Sequence, residues 1–306
     1  LYLETEDYRE GLRTLRQAAT NFREHARAPE VTLQMADAFT SLFLEDEADK
    51  LSPVSAIALF EEFRELTPVG GRGDEMIRKL ADRLTKVDLL DRAAELLRGQ
   101  VEFRLKGAER ARIGNQLALV YLLDRKPDEA LQTLRLTDEP DLPPDLAAQR
   151  LHLRAKALMA KGDGAAALAA LKDDRSLDGE LLKAEVYWEA QDWERTVQAL
   201  QRVLREAKAA PRRPVTKTQA GYVFNLAVAL TLAGNERGIA RLRAEYGEAM
   251  ARSELAQGFD LIAGQSALMG VARADVSGEV KEVQGFQTFL SAYKERLRAQ
   301  GLSGIN

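Results

Sequence analysis

An all-α fold built by repetition is what this sequence predicts, and three observations carry that expectation. Apolar residues recur at helical spacing along nearly all of the 306 residues, with no sustained Val/Ile/Thr run of period two. Ala, Leu, Arg, Glu, Lys and Gln dominate, and these are the strong helix formers. A unit of helix, polar turn and helix recurs with two alanines twelve residues apart: Ala81 and Ala93, Ala118 and Ala130, Ala155 and Ala167. Such recurrence is the signature of a repeat architecture.

The elements follow in chain order. In the opening stretch LYLETEDYREGLRTL, Tyr2 reads as the aromatic closing one helix, Glu6, Asp7 and Tyr8 as a turn, and Gly11 and Leu15 as part of the next helix. The chain therefore starts inside a repeat, and the expectation is a piece of a longer protein. The acidic stretch at 43–55 separates a helix ending near Leu44 from AIALFEEFRELTP at 56–68, where Ala56, Phe60 and Phe63 share a stripe and Pro68 ends it. The segment 79–97 places Leu80, Ala81 and Leu84 before the turn, with Ala93 and Leu97 after it. The segment 115–134 repeats this with Leu117, Ala118 and Tyr121, a polar turn from Asp124 to Asp128, then Ala130 and Leu134. The segment 154–171 supplies Ala155, Leu158, Ala167 and Leu171. Two further copies deviate: 183–200 keeps Ala184, Tyr187 and Leu200 but has Thr196 at the second small place, and 225–242 keeps Leu226, Ala227 and Leu230 but has Ile239 there.

Two antiparallel helices approach closely only where a small residue on each admits a bulky one from its partner, which accounts for small residues at fixed separation. Each pair then leaves an apolar face uncovered, so pairs must stack. With the small residue, the Leu or aromatic three later, the turn and the second small residue all in place, residues 1–246 resemble the tetratricopeptide repeat family. The resemblance implies an all-α fold of about fourteen helices, an α-solenoid with a right-handed superhelix made of stacked antiparallel pairs. Repeats of that family run about 34 residues, whereas the first alanines here are 37, 37, 29 and 43 residues apart, so the array is irregular. One extra length falls in the basic, Pro-containing stretch 205–219, where Ala209 reads as exposed. Beyond 246 the pattern fades into C-terminal capping helices over 247–306, one near 253–262 and one near 279–298. The latter carries an apolar stripe of Val280, Val283, Phe286, Phe289, Leu290, Tyr293 and Leu297.

Composition narrows the function classes. A net charge of −4 offers no global field for nucleic acid. No apolar run approaches the roughly 18 to 20 residues of a membrane span, and Glu4, Glu6 and Asp7 do not form a signal peptide. Compartment is left open between cytoplasm and periplasm. The absence of cysteine removes thiolate zinc sites, iron–sulfur clusters and cysteine nucleophiles. No phosphate-binding loop, dinucleotide fingerprint, HExxH or GxSxG is present. His25 and His152 stand far apart without companion ligands, His25 at a helix end. The RGD within GGRGD at 70–74 reads as a flexible turn with Asp74 as a helix N-cap. The basic group Arg205, Lys208, Arg212, Arg213 and Lys217 and the acidic group Glu45, Asp46, Glu47 and Asp49 read as solvated loops, and Trp193 as a packing residue.

The expectation for function is a non-catalytic scaffold with no cofactor and no metal, binding a protein or peptide. The alternative is a helical accessory or assembly region of a larger protein, an envelope-associated one or an enzyme, with its activity upstream of residue 1. In the resembling family the first helices of successive repeats line a concave groove for a peptide or partner helix. Carried over by position, that groove would be lined by Arg78 and Asp82, Asn115 and Leu119, His152, Lys156 and Met159, Glu185 and Trp188, and Phe224, Asn225 and Val228. Trp188 would be the central anchor, with Lys156 and His152 beside it. The Lys and Asn set with which some members clamp a terminal carboxylate is not reproduced.

Overall fold

The computed structural model describes residues 7–45 and 47–268. Among the described residues there are fourteen α-helices and no β-strand. The chain divides into two compact units, the first through Leu153 and the second from Arg154. Within each, consecutive helices pack against one another as in an α-solenoid. Tyr2 and the expected helix at 279–298 lie outside the described residues, and Tyr246 and Gly247, where the array was expected to end, lie inside a helix.

The first unit runs α1 (Tyr8–Asn21), α2 (Ala28–Leu44), α3 (Pro53–Glu62), α4 (Gly71–Lys86), α5 (Leu90–Phe103), α6 (Gly107–Leu123), α7 (Pro127–Leu136) and the start of α8 (Pro144–Ala160). Its N-terminal core is aromatic. Phe39 and Phe43 on α2 meet edge to face at 5.1 Å, and both reach Phe60 of α3, at 6.2 and 5.8 Å. Phe63 closes the cluster, and the Arg16 guanidinium sits 3.9 Å from the centre of its ring.

The second unit continues with α9 (Gly164–Ala170), α10 (Leu177–Glu189), α11 (Trp193–Glu206), α12 (Lys217–Leu232), α13 (Glu236–Met250) and α14 (Ala256–Leu268). Its core gathers Leu200, Phe224, Leu226, Val228, Leu242, Met250 and Phe259, all at most 4% exposed.

One backbone device recurs in every pair that the sequence pattern marks. Seven residues after the first small residue, the chain turns through a left-handed conformation: Asp88 (φ 63°), Arg125 (φ 57°), Gly162 (φ 79°), Gln191 (φ 57°) and Gly234 (φ 65°). The next residue then donates its N–H back into the last turn of the first helix. These bonds run from Leu89 to Leu84, Lys126 to Tyr121, Asp163 to Leu158, Asp192 to Tyr187 and Asn235 to Leu230, all at 2.8–2.9 Å. This closes the first helix by satisfying a carbonyl it would otherwise leave unpaired. Where the following residue is Asp163, Asp192 or Asn235, its side chain also caps the second helix.

The turn sends the two helices back along each other, and the small residues meet. All eight alanines of the pattern are at most 1% exposed. Thr196 is fully buried, its hydroxyl bonded to the Asp192 carbonyl, and Ile239 is 3% exposed.

Three expectations are corrected. Asp74 is not an N-cap on a flexible turn: Gly70, at φ 78°, precedes α4, and the RGD lies in its first turn. Asp74 is buried there on the Arg104 guanidinium at 2.6 Å, and a β-carbon at Gly73 would come within 1.8 Å of the Pro68 carbonyl oxygen. Ala209 is not exposed but 7% accessible, because its carbonyl accepts the Tyr246 hydroxyl at 2.7 Å and draws the loop onto α13. The acidic stretch is only partly solvated loop, since Glu47–Lys50 forms a short 3-10 turn and Glu47 accepts the Tyr8 hydroxyl at 3.2 Å.

Two predictions follow from the helix pair. Ala118→Leu should overpack the α6–α7 contact and lower stability by about 1–3 kcal/mol in denaturant titration, while Ala165→Leu on the exposed side of α9 should change it little. Gln191→Gly should raise stability by about 1 kcal/mol, because glycine adopts the left-handed turn without the cost an L side chain bears. A fall instead would show that the Gln191 side chain matters more than its backbone.

Candidate functional site

The expected site residues fall on the first helices of the pairs, and packing sorts them into those that reach solvent and those that do not. In the first unit α4 and α6 are joined by an ion pair from the Arg78 guanidinium to Glu109, at 4.0 Å. One turn on, Asp82 keeps an exposed edge while burial raises its carboxyl above the ordinary carboxylate range, against the pull of Lys86 and Arg78. On α6, Leu119 and Leu123 stand four residues apart and are 42% and 53% exposed. Gln116, a turn earlier on the same side, has its carbonyl oxygen buried without a hydrogen-bond partner. The later half of α6 thus combines an apolar pair with an unsatisfied acceptor, while the charge stands at the helix's first turn.

Asn115 is placed differently. It is 5% exposed, and its side-chain oxygen accepts from Arg150 of α8 at 2.9 Å. Arg150 also donates to Thr137 at 2.8 Å, to the Ala111 carbonyl at 3.4 Å and to the Leu134 carbonyl. Asp138 pairs with it at 3.4 Å. A β-carbon at Gly114 would lie 2.2 Å from the Thr137 hydroxyl, so the glycine lets α6 come close enough for the network to form. Asn115 thus belongs to a buried pin holding α6, the end of α7 and α8 together. Nothing in the local sequence separates Arg150 from the exposed arginines around it.

In the second unit Lys156 and Met159 of α8 and Glu185 of α10 are half-buried. Burial lowers the Lys156 ammonium below the usual lysine range, while Glu185 and then Asp178 pull it back. Tyr222 of α12, also half-buried, has its hydroxyl pushed up by burial and then by Asp178. Asp178, in the first turn of α10, therefore acts on groups from both α8 and α12. Neither Asp178 nor Tyr222 was expected in the site. His152 is half-buried in the first unit, one turn before Lys156.

Trp188 is 7% exposed, packed edge to face on Trp193 at 5.3 Å. Phe224, Asn225 and Val228 are at most 6% exposed, because α12 is buried all round from Val223 to Leu230. The accessible side of that helix is the one carrying Tyr222. Behind this face, Glu180 is 1% exposed between Arg202, at 2.5 Å, and Lys183, at 3.0 Å. Burial alone would raise its carboxyl, but the hydrogen bonds from Arg202 and Lys183 outweigh that and hold it low. These groups position helices and bear on no ligand.

Among the described residues there is no cluster of three or more metal-ligating side chains, and no helix is long and apolar enough to cross a membrane. No protein-family model matches the chain, and no curated relative matches it. Among solved structures, BtubC (BKLC) from P. vanneervenii is similar over 75% of this chain and 92% of that one, with 18% identity and a TM-score of 0.40. A likeness at that level assigns neither family nor role.

The Lys156 environment is directly testable. In competitive acetylation across about pH 8 to 11, Lys156 should reach half-reaction at lower pH than the lysine of an unstructured reference peptide, and Glu185→Gln should move it lower still by removing a charge that favours the ammonium. Coincident midpoints would contradict the desolvated setting.

Proposed function

We propose that this chain is a non-catalytic interaction scaffold that holds a peptide or helix of a partner protein against its first helices. The single observation that carries the reading is the strip on the later half of α6, where Leu119 and Leu123 are exposed beyond the buried unpaired oxygen of Gln116. An apolar pair left open at i and i+4 fits a segment that lays its own apolar side chains there. Turning the Gln116 amide outward to meet a partner donor would relieve a burial that costs about 1–3 kcal/mol. The half-buried Lys156, Met159, Glu185 and Tyr222 offer the second unit a comparable mix of charge and apolar surface. The resemblance to tetratricopeptide repeats supports the same reading, since those repeats bind partners on the first helices. Trp188 is assigned to packing instead of anchoring.

The test uses immobilised protein and lysate, with captured proteins identified by mass spectrometry. Leu119→Arg in the first unit and Lys156→Glu in the second should each reduce capture of a partner about tenfold or more while leaving the helical circular dichroism signal intact. Glu129→Lys, exposed on α7, should not. Capture undiminished in both first-helix variants would overturn the proposal.

A further inference from the structure

The basic stretch before α12 is not a loose solvated loop. Its backbone is held at four places: the Ala209 carbonyl accepts the Tyr246 hydroxyl at 2.7 Å, the Arg212 N–H donates to the Glu245 carbonyl at 2.8 Å, and Gln219 bonds the Ala207 carbonyl at 2.8 Å and the Thr216 N–H at 2.9 Å. Lys208 and Arg212 are both left-handed, at φ 53° and 60°, conformations that persist only where the surroundings enforce them. Between this loop and the end of α13 opens a cleft of about 540 Å³.

Four cations line it: Arg212 and Arg213 from the loop, Lys217 from the first turn of α12 and Arg252 from the turn after α13. Two are matched by carboxylates of the same cleft, Lys217 by Glu254 at 2.8 Å and Arg252 by Glu248 at 2.7 Å. Among the described residues Arg212 and Arg213 make no side-chain ion pair. The cleft thus pairs two cations with carboxylates and leaves two guanidinium forks open, on a backbone that has already borne its ordering cost. Half-buried Val215 and Leu255 supply apolar wall between them.

We propose that this cleft binds a short acidic peptide segment, its carboxylates seated on Arg212 and Arg213 and the methylenes of its side chains against Val215 and Leu255. A peptide is favoured over inorganic phosphate because its side-chain methylenes can cover the apolar wall of Val215 and Leu255, which phosphate leaves bare. The site is separate from the first-helix face and does not depend on it.

Fluorescence anisotropy of a fluorescein-labelled pentaglutamate peptide with the full chain, at about 0.1 M salt, tests this. Arg212→Ser/Arg213→Ser should weaken binding about tenfold or more, whereas Lys172→Ser/Arg175→Ser, which removes the same charge from exposed residues outside the cleft, should change it less than about twofold. Glu248→Gln/Glu254→Gln should tighten binding, a gain that misfolding cannot imitate, and Lys156→Glu should leave it unchanged. Absence of saturable binding, equal weakening in the two serine doubles, or displacement of the probe by inorganic phosphate at lower concentration than by unlabelled pentaglutamate would each overturn the proposal.

Discussion

The left-handed residue between the two helices of a pair is the constraint on which the rest of this structure depends. It ends the first helix by returning an N–H to that helix's last turn, and it sets where the second helix begins. Once that geometry is fixed, the residue five positions on is brought back against the residue seven positions before. Only a small side chain, or a β-branched one with its hydroxyl satisfied like Thr196, fits at most of these meetings. The twelve-residue alanine spacing is thus a consequence of the turn. Asp88, Arg125 and Gln191 hold a conformation that favours glycine, so the bond closed there and the packing beyond it outweigh the local strain.

Buried polar groups fix the helices to one another, both within a pair and from one pair to the next. Asp74 ties the first turn of α4 to Arg104 at the end of α5, Arg150 ties α8 to α6 and the end of α7, and Glu180 ties α10 to Arg202 of α11. Each buried charge has a partner of opposite sign and further hydrogen bonds, the condition under which burial of an ion is tolerated. Removing one partner leaves the other buried and uncompensated. Such groups act as register marks along the helices they join.

The consequence for function is that little of the first-helix surface is free. The residues that reach solvent, Asp82, Leu119, Lys156, Glu185 and Tyr222, are those left over after the small positions, the polar pins and the aromatic contacts are filled. On α12 the apolar stretch from Val223 to Leu230 is enclosed on every side by α11, α13 and α14, which turns Tyr222 outward in place of Phe224 or Asn225. In the loop before that helix, the same packing holds Ala209 inward and presents the arginines of a separate cleft.

Sequence by itself determined the helices, their pairing and the place of nearly every small residue, because those follow from local periodicity and one turn repeated at fixed spacing. The turn at Asp124 to Asp128 and the stripe of Ala56, Phe60 and Phe63 were legible for that reason. Of the candidate site, Arg78, Asp82, Leu119, Lys156, Met159 and Glu185 could be read as surface residues of first helices, while Asp178 and Tyr222 could not. Tertiary structure alone decided that Asn115 meets Arg150 and that Asp74 is buried on Arg104. The physical reason is range. A helix face repeats every three to four residues and is written in neighbouring letters, whereas burial of a charge depends on which side chain arrives from 30 or 35 residues away, and the irregular loops leave that arrival to packing.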